Sequence, residues 1–141
     1  MSWVLPQLVL ACPAGSEIAI VSPWIRDVPL DLPAPLRQVS PHLSHLLKHA
    51  QTELNLRITF YCREEDQYIW GIRSRLSKQH ITTLLLRPHL HAKAVVTPGF
   101  ILTGSGNLLW TSIYRNEETL RLDCNERKNV RLTLRHDLGV T

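Results

Sequence analysis

Two short polar motifs in the second half of the chain have residue types suited to phosphate chemistry. The first is His91-Ala92-Lys93, at the start of an apolar stretch that continues to Val96 and predicts a strand over residues 92–96. Side chains alternate across a strand, so the imidazole of His91 and the ammonium of Lys93 are expected to project from one face of the sheet. A neutral imidazole can act as nucleophile or as general acid or base, and an ammonium can bind a phosphate oxygen. The pair therefore favours phosphoryl transfer.

The second motif, residues 104–107, has the sequence Gly-Ser-Gly-Asn and follows the next predicted strand, residues 100–103. Ser105 and Asn107 are expected to share a face, and the glycines allow close approach of a ligand to the backbone. If the two strands pair through the turn at residues 97–99, the two motifs converge on one site. Glu118, eleven residues after Asn107, is a carboxylate that can hold an imidazole nitrogen and so select its tautomer.

Neither the histidines nor the cysteines indicate a metal or cofactor. Three histidines recur at helical spacing, but no carboxylate or cysteine accompanies them on that helix face: His42, His45 and His49. Three cysteines without CxxC spacing suggest neither a disulfide framework nor a zinc site: Cys12, Cys62 and Cys124. We therefore expect catalysis without metal and thiols that stay reduced. His89 shares the predicted strand face with His91, and Trp24 and Trp110 are expected mainly to pack the core.

Strands and helices alternate along the chain, which predicts an α/β fold with a mixed sheet flanked by helices. Strands are predicted at residues 18–21, 56–62, 81–86, 92–96 and 100–103, with a further strand-like segment at 119–122. Helices are predicted at about 41–54, after the capping pair Ser40-Pro41, and from about 64 to 76, where acidic residues occupy the first turn. The segment 130–138 is ambiguous, and the sequence assigns it neither to a strand nor to a helix.

Composition predicts one globular domain over residues 1–141 with a polyanionic partner. The chain is 44% hydrophobic, which suffices for one core, and its formal net charge is +4. The positive excess is densest from Arg121 onward and suits nucleic-acid phosphates. No stretch reaches the ~20 apolar residues of a membrane span. We therefore expect a cytoplasmic protein without a membrane partner.

Taken together, the motifs resemble those of the phospholipase D superfamily, whose signature is HxK(x)₄D, then GSxN, then an acidic residue. The matching residues are His91 and Lys93, then residues 104–107, then Asn116-Glu117-Glu118. Residues 18–24, which end in Ser-Pro-Trp, are similar to the first strand of that family. Pro98 stands where the Asp of the HxK motif is expected, so a degenerate, non-catalytic member remains an alternative.

The resemblance implies a phospholipase D-like fold and a site of five residues: His91, Lys93, Ser105, Asn107 and Glu118. That family's site takes two histidines, and this chain has one HxK motif, so the resemblance implies a homodimer with the active site at its twofold axis. It implies a metal-independent nuclease that acts on DNA through a phosphohistidine, and small members of this kind suggest a place in a restriction or phage-defence assembly. A lipid-headgroup phospholipase or phosphatidyltransferase, and a non-catalytic nucleic-acid-binding or assembly subunit, are the alternatives.

Overall fold

A six-stranded mixed sheet organises the protein, seen in a computed structural model that describes residues 4–33, 36, 41–104 and 120–140. The strand order is β3-β2-β1-β4-β5-β6. The strands are β1 (Glu17–Val21), β2 (Arg57–Cys62), β3 (Thr82–Leu86), β4 (Ala94–Val96), β5 (Phe100–Gly104) and β6 (Leu120–Cys124). β1, β2 and β3 are parallel, whereas β4, β5 and β6 each pair antiparallel with the preceding strand in the sheet.

Within the described ranges, four helices cover the sheet: α1 (Val4–Leu10), α2 (Leu43–Leu54), α3 (Gln67–Arg75) and α4 (Val130–Asp137). Apolar residues of α1, α2 and α3 pack against one face, around Ile58 and Phe60 of β2. Val130 and Leu134 of α4 pack against the other face, on Ala19 and Val21 of β1. Both faces of the central strands are thus buried, which is why β1 reads as a continuous apolar run. The described residues therefore form one α/β unit, as the sequence predicts.

The predicted helices at about 41–54 and 64–76 are confirmed, with later starts. α2 begins after His42, whose backbone N–H donates to His45 Nδ1 at 2.9 Å. α3 begins after Asp66, because the Asp66 carboxylate accepts hydrogen bonds from the backbone N–H groups of Tyr68 and Ile69, both at 3.0 Å. The acidic residues before it thus lie ahead of the helix rather than in its first turn.

Asp66→Ala is expected to lower the free energy of unfolding by about 1 kcal/mol, because two donors in the first turn of α3 lose their partner. Urea unfolding followed by circular dichroism measures the change. Glu53→Ala, at an exposed position on α2, is the control and is expected to change stability by less than about 0.5 kcal/mol. Equal effects from the two substitutions would contradict the capping role.

α1 and α4 are the two helices that the sequence does not predict. α1 has seven residues and buries Leu5, Leu8 and Val9, and Pro6 lies in its first turn, where proline is tolerated. α4 begins after Asn129, whose side chain accepts from Leu132 N at 3.0 Å, and it faces the sheet with Val130, Thr133 and Leu134. Both helices are short, so burial against the sheet stabilises them more than local propensity does.

The strand predicted over residues 92–96 begins only at Ala94, so His91 and Lys93 precede β4 and are not strand residues. The observed strand thus begins two residues later than predicted, and strand alternation does not set the directions of these two side chains. Side chains occupy two backbone acceptors before β4: Arg63 Nε donates to Leu90 O at 2.8 Å, and Lys93 Nζ donates to His91 O at 3.0 Å. His89 likewise lies in a turn, exposed, and not on a strand.

Candidate active site

The carboxyl ends of β1, β2, β3 and β5 meet the amino ends of β4 and β6 at one edge of the sheet, which we call the carboxyl edge. The register requires this, because Val21 at the end of β1 pairs with Ala94 at the start of β4. Likewise Cys62 pairs with Leu86, where β2 and β3 both end. The segments that follow β1 and β2 and the segment that precedes β4 are therefore neighbours in space. The candidate residues His91, Lys93 and Arg63 lie on these segments, and ligand sites of open α/β sheets are usually found at this edge.

His91 lies exposed at the carboxyl edge and is held by an arginine. Its Nδ1 is 3.0 Å from Nη2 of Arg63, the first residue after β2. Arg63 Nε also donates to Leu90 O at 2.8 Å, and its guanidinium lies over the ring of Trp24, 4.8 Å from the centroid. Three contacts thus orient Arg63, and Arg63 in turn orients the imidazole.

This contact determines which nitrogen of His91 carries the proton in the neutral ring. A guanidinium has donors and no acceptor, so Nδ1 must accept and the proton must reside on Nε2. Glu118 is expected to hold one imidazole nitrogen, and a carboxylate bound at Nδ1 would require the opposite tautomer. The guanidinium of Arg63 and a carboxylate therefore cannot both bind Nδ1 of one His91 ring.

Lys93 is half-buried beside His91 and joins it to the next strand. Its Nζ donates to His91 O at 3.0 Å, and its carbonyl accepts from Gly104 N at 3.2 Å. The predicted pairing of the two strands is thus confirmed, with β4 antiparallel to β5 and Gly104 adjacent to Lys93. Ser105, Asn107 and Glu118 lie outside the described residues, so their predicted roles stay predictions.

Pro98, which replaces the Asp expected in the HxK motif, lies beyond the far end of β4. β4 separates it from Lys93 by about 10 Å of strand. The turn there is closed by Thr97, whose Oγ1 accepts hydrogen bonds from the backbone N–H groups of Gly99 and Phe100, at 3.2 and 2.9 Å. The side chain at position 98 is therefore remote from His91, and its identity does not change the groups around the imidazole.

Comparison with models of known protein families gives no match to this chain, and no curated protein matches it either. The resemblance to the phospholipase D superfamily therefore rests on the motif residues themselves. Arg63 is not part of that signature and was not singled out in the sequence. The signal that points to it is its position directly after a predicted strand, at the edge where His91 also lies.

Trp24 is half-buried, and its ring lies against the guanidinium of Arg63. Its backbone carbonyl accepts from Ser22 Oγ at 2.8 Å, which shapes the Ser-Pro-Trp turn after β1. Its expected role in core packing stays a prediction. Trp110, for which the same role was expected, lies outside the described residues.

In the part of the chain that the structure describes, no group of three or more His, Cys, Asp or Glu residues is placed to hold a metal ion.

Cys12 and Cys62 are buried, and burial raises the pKa of each thiol to about 11. Neither thiol is therefore a competent nucleophile at neutral pH, because the thiolate is the reactive form. None of the described helices is long and apolar enough to cross a membrane.

Proposed function

We propose that the protein is a metal-independent phosphodiesterase of the phospholipase D type that cleaves DNA. The observation that carries the proposal is an exposed imidazole, His91, with the cationic groups of Arg63 and Lys93 held around it at the carboxyl edge. Cationic donors at fixed positions stabilise the charge that develops on non-bridging phosphate oxygens in phosphoryl transfer. A histidine beside them supplies the nucleophile or the acid.

The proposed reaction has two steps and uses two copies of His91. Nε2 of one ring attacks phosphorus in line, so a P–N bond forms, and the P–O bond to the leaving strand breaks. The imidazolium of the second copy protonates that leaving oxygen. Water then attacks the phosphohistidine, the second ring accepts the proton, and the P–N bond breaks.

Attack by Nε2 requires that this atom be unprotonated, whereas the Arg63 contact places the proton there. We therefore propose that the guanidinium of Arg63 moves from Nδ1 to a phosphate oxygen when substrate binds. Nδ1 can then carry the proton and donate it to a carboxylate, for which Glu118 remains the candidate. The exposed ring exchanges its proton with water during this change.

The homodimer is part of the proposal because the chain contains a single HxK motif. A twofold axis close to the carboxyl edge would place two His91 rings on opposite sides of one phosphorus atom.

DNA is the proposed substrate because the chain has a net charge of +4 and phosphate contacts dominate nucleic-acid affinity. A cytoplasmic location and a place in a defence assembly belong to the same proposal.

One alternative is a degenerate subunit that binds nucleic acid without cleaving it, and a second is a lipid activity. Incubation with plasmid, single-stranded DNA, RNA and phospholipid vesicles, all in EDTA, separates the alternatives. Cleavage of DNA supports the proposal, and turnover of phospholipid alone replaces it with a lipid activity. DNA retardation in a gel without any cleavage supports the binding subunit and contradicts the enzyme.

Mixing of wild-type and His91→Ala subunits tests whether two copies share one site. If each site needs both imidazoles, co-refolding at a 1:1 ratio leaves about one quarter of the dimers active, by random pairing of subunits. Activity per wild-type subunit should then fall to about one half of that of the pure wild type. Activity per wild-type subunit that does not depend on the mixing ratio would show that one chain carries a complete site.

A further inference from the structure

A polar cavity opens between α2 and α3, and we call it the α2–α3 pocket. Its volume is about 490 Å³, and its walls include Arg26, Asp27, His45, Tyr68 and Arg75. Arg26 and Asp27 follow β1, and His45 is in the first turn of α2, so the pocket lies near the carboxyl edge. It is separate from His91, which does not line it.

The net charge of this pocket is positive, and the oxygens of its carboxylate, Asp27, already accept hydrogen bonds from neighbouring residues. Asp27 Oδ1 accepts from Ser44 N at 2.7 Å, and Oδ2 accepts from Ser44 Oγ at 2.7 Å and from Arg75 Nη1 at 3.2 Å. Asp27 is the one carboxylate among the described residues that line the pocket, whereas two guanidinium groups line it. Asp27 therefore ties α2 to α3, and its charge offsets only one of the two arginines.

Two arginine–aromatic pairs lie along the segment that follows β1, one beside His91 and one at the α2–α3 pocket. Arg63, which contacts His91, lies over the ring of Trp24. Arg26, two residues after Trp24 in the chain, lies over the ring of Tyr68, 4.3 Å from its centroid. Because Trp24 and Arg26 are so near in sequence, the two pairs belong to neighbouring parts of the carboxyl edge, and guanidinium groups of this kind can meet phosphates.

Building on the proposed nuclease function, we propose that the α2–α3 pocket is a second phosphate-binding subsite for the DNA strand that continues from the scissile phosphate at His91. Arg75 contacts the phosphate, since its side chain is 59% exposed and a guanidinium presents five donors, of which Asp27 takes one. Tyr68, 38% exposed, lines the same pocket and holds the guanidinium of Arg26 there. The ligand class is a single-stranded oligonucleotide longer than a dinucleotide.

Arg75→Gln tests the subsite, with Arg73→Gln as the matched control on the same helix. Each arginine makes one ion pair, Arg75 with Asp27 and Arg73 with Glu65, but Arg73 does not line the pocket. Both arginine substitutions are made in protein that also carries His91→Ala, so that the ligand is not cleaved during the measurement. Fluorescence anisotropy then measures the affinity for a thymidine dinucleotide and for a ten-nucleotide strand. Arg75→Gln is expected to weaken binding of the longer strand about 5- to 10-fold and to reduce its salt slope by about 0.7, the contribution of one phosphate contact.

The dinucleotide affinity should not change, and Arg73→Gln should leave both affinities unchanged. Arg75→Lys, which keeps the charge, should retain more affinity than Arg75→Gln, and thermal unfolding shows whether each variant is folded. Equal weakening of both ligands, or equal effects at positions 73 and 75, would overturn the subsite. If Arg75→Gln weakened binding of the longer strand only, and the protein with His91 intact did not cleave DNA, the subsite would stand and the nuclease function would be refuted. Cleavage without any effect of Arg75 would refute the subsite alone.

Discussion

His91→Ala is expected to reduce DNA cleavage in EDTA by about 10⁴-fold, because it removes both the nucleophile and the acid of the proposed reaction. The exposed position of His91 means that truncation costs little folding energy. Single-turnover cleavage of an end-labelled strand measures the loss. Since both copies in a dimer lose the ring, no residual site with one imidazole remains.

His89→Ala is the matched control, since His89 is also exposed and lies two residues earlier in a turn. It is expected to cleave at a rate within a few-fold of the wild type. If His91→Ala retained wild-type cleavage, or if the two substitutions had the same effect, His91 would not be the reacting group. A strand fragment trapped on the protein through an acid-labile P–N bond in the wild type but not in His91→Ala would further support the phosphohistidine.

Lys93→Met is expected to lower the rate of cleavage by about 10²- to 10³-fold, the usual effect of removing one donor to a developing oxyanion. The Lys93 ammonium lies 3.0 Å from the backbone carbonyl of His91, so it is anchored at the residue that carries the proposed nucleophile. Methionine keeps the length of the side chain and removes the charge. The loss should appear in kcat rather than in KM, because the charge it stabilises develops in the transition state.

Lys93 also has a structural hydrogen bond to His91 O, and the experiment must separate the two roles. Lys48→Met, at an exposed position on α2, controls for loss of one positive charge and should leave cleavage unchanged. Thermal unfolding of Lys93→Met measures the structural part. A loss of activity fully matched by loss of folded protein, or a rise in KM with unchanged kcat, would exclude a transition-state role for Lys93.

Most of the elements that form the sheet can be predicted from local patterns. The apolar run of β1, the alternation in β2 and the turn residues between β4 and β5 are short-range features, and the structure confirms the strands they predict. α4 could not be assigned, because Val130, Thr133 and Leu134 face the sheet only when the chain has folded back onto β1 and β4. Its helical state depends on that burial more than on its own residues.

The start of β4 shows why the geometry around His91 could not be predicted. Period-two alternation applies only to residues in the ladder, and residues 91–93 lie before it. The carbonyl of Leu90 accepts from the side chain of Arg63, a contact between distant segments, and the carbonyl of His91 accepts from the side chain of Lys93. Arg63 itself is 28 residues from His91, and no spacing rule connects the two.

The residue types able to bind and transfer a phosphate, and their order along the chain, are properties of the sequence alone, because chemistry resides in side chains and motif spacing is local. The tertiary structure decided where they meet. The parallel and antiparallel pairing of β1, β2 and β4 brings the end of β2 beside the segment before β4. Only that long-range pairing puts the guanidinium of Arg63 on Nδ1 of His91 and so selects the tautomer of the ring.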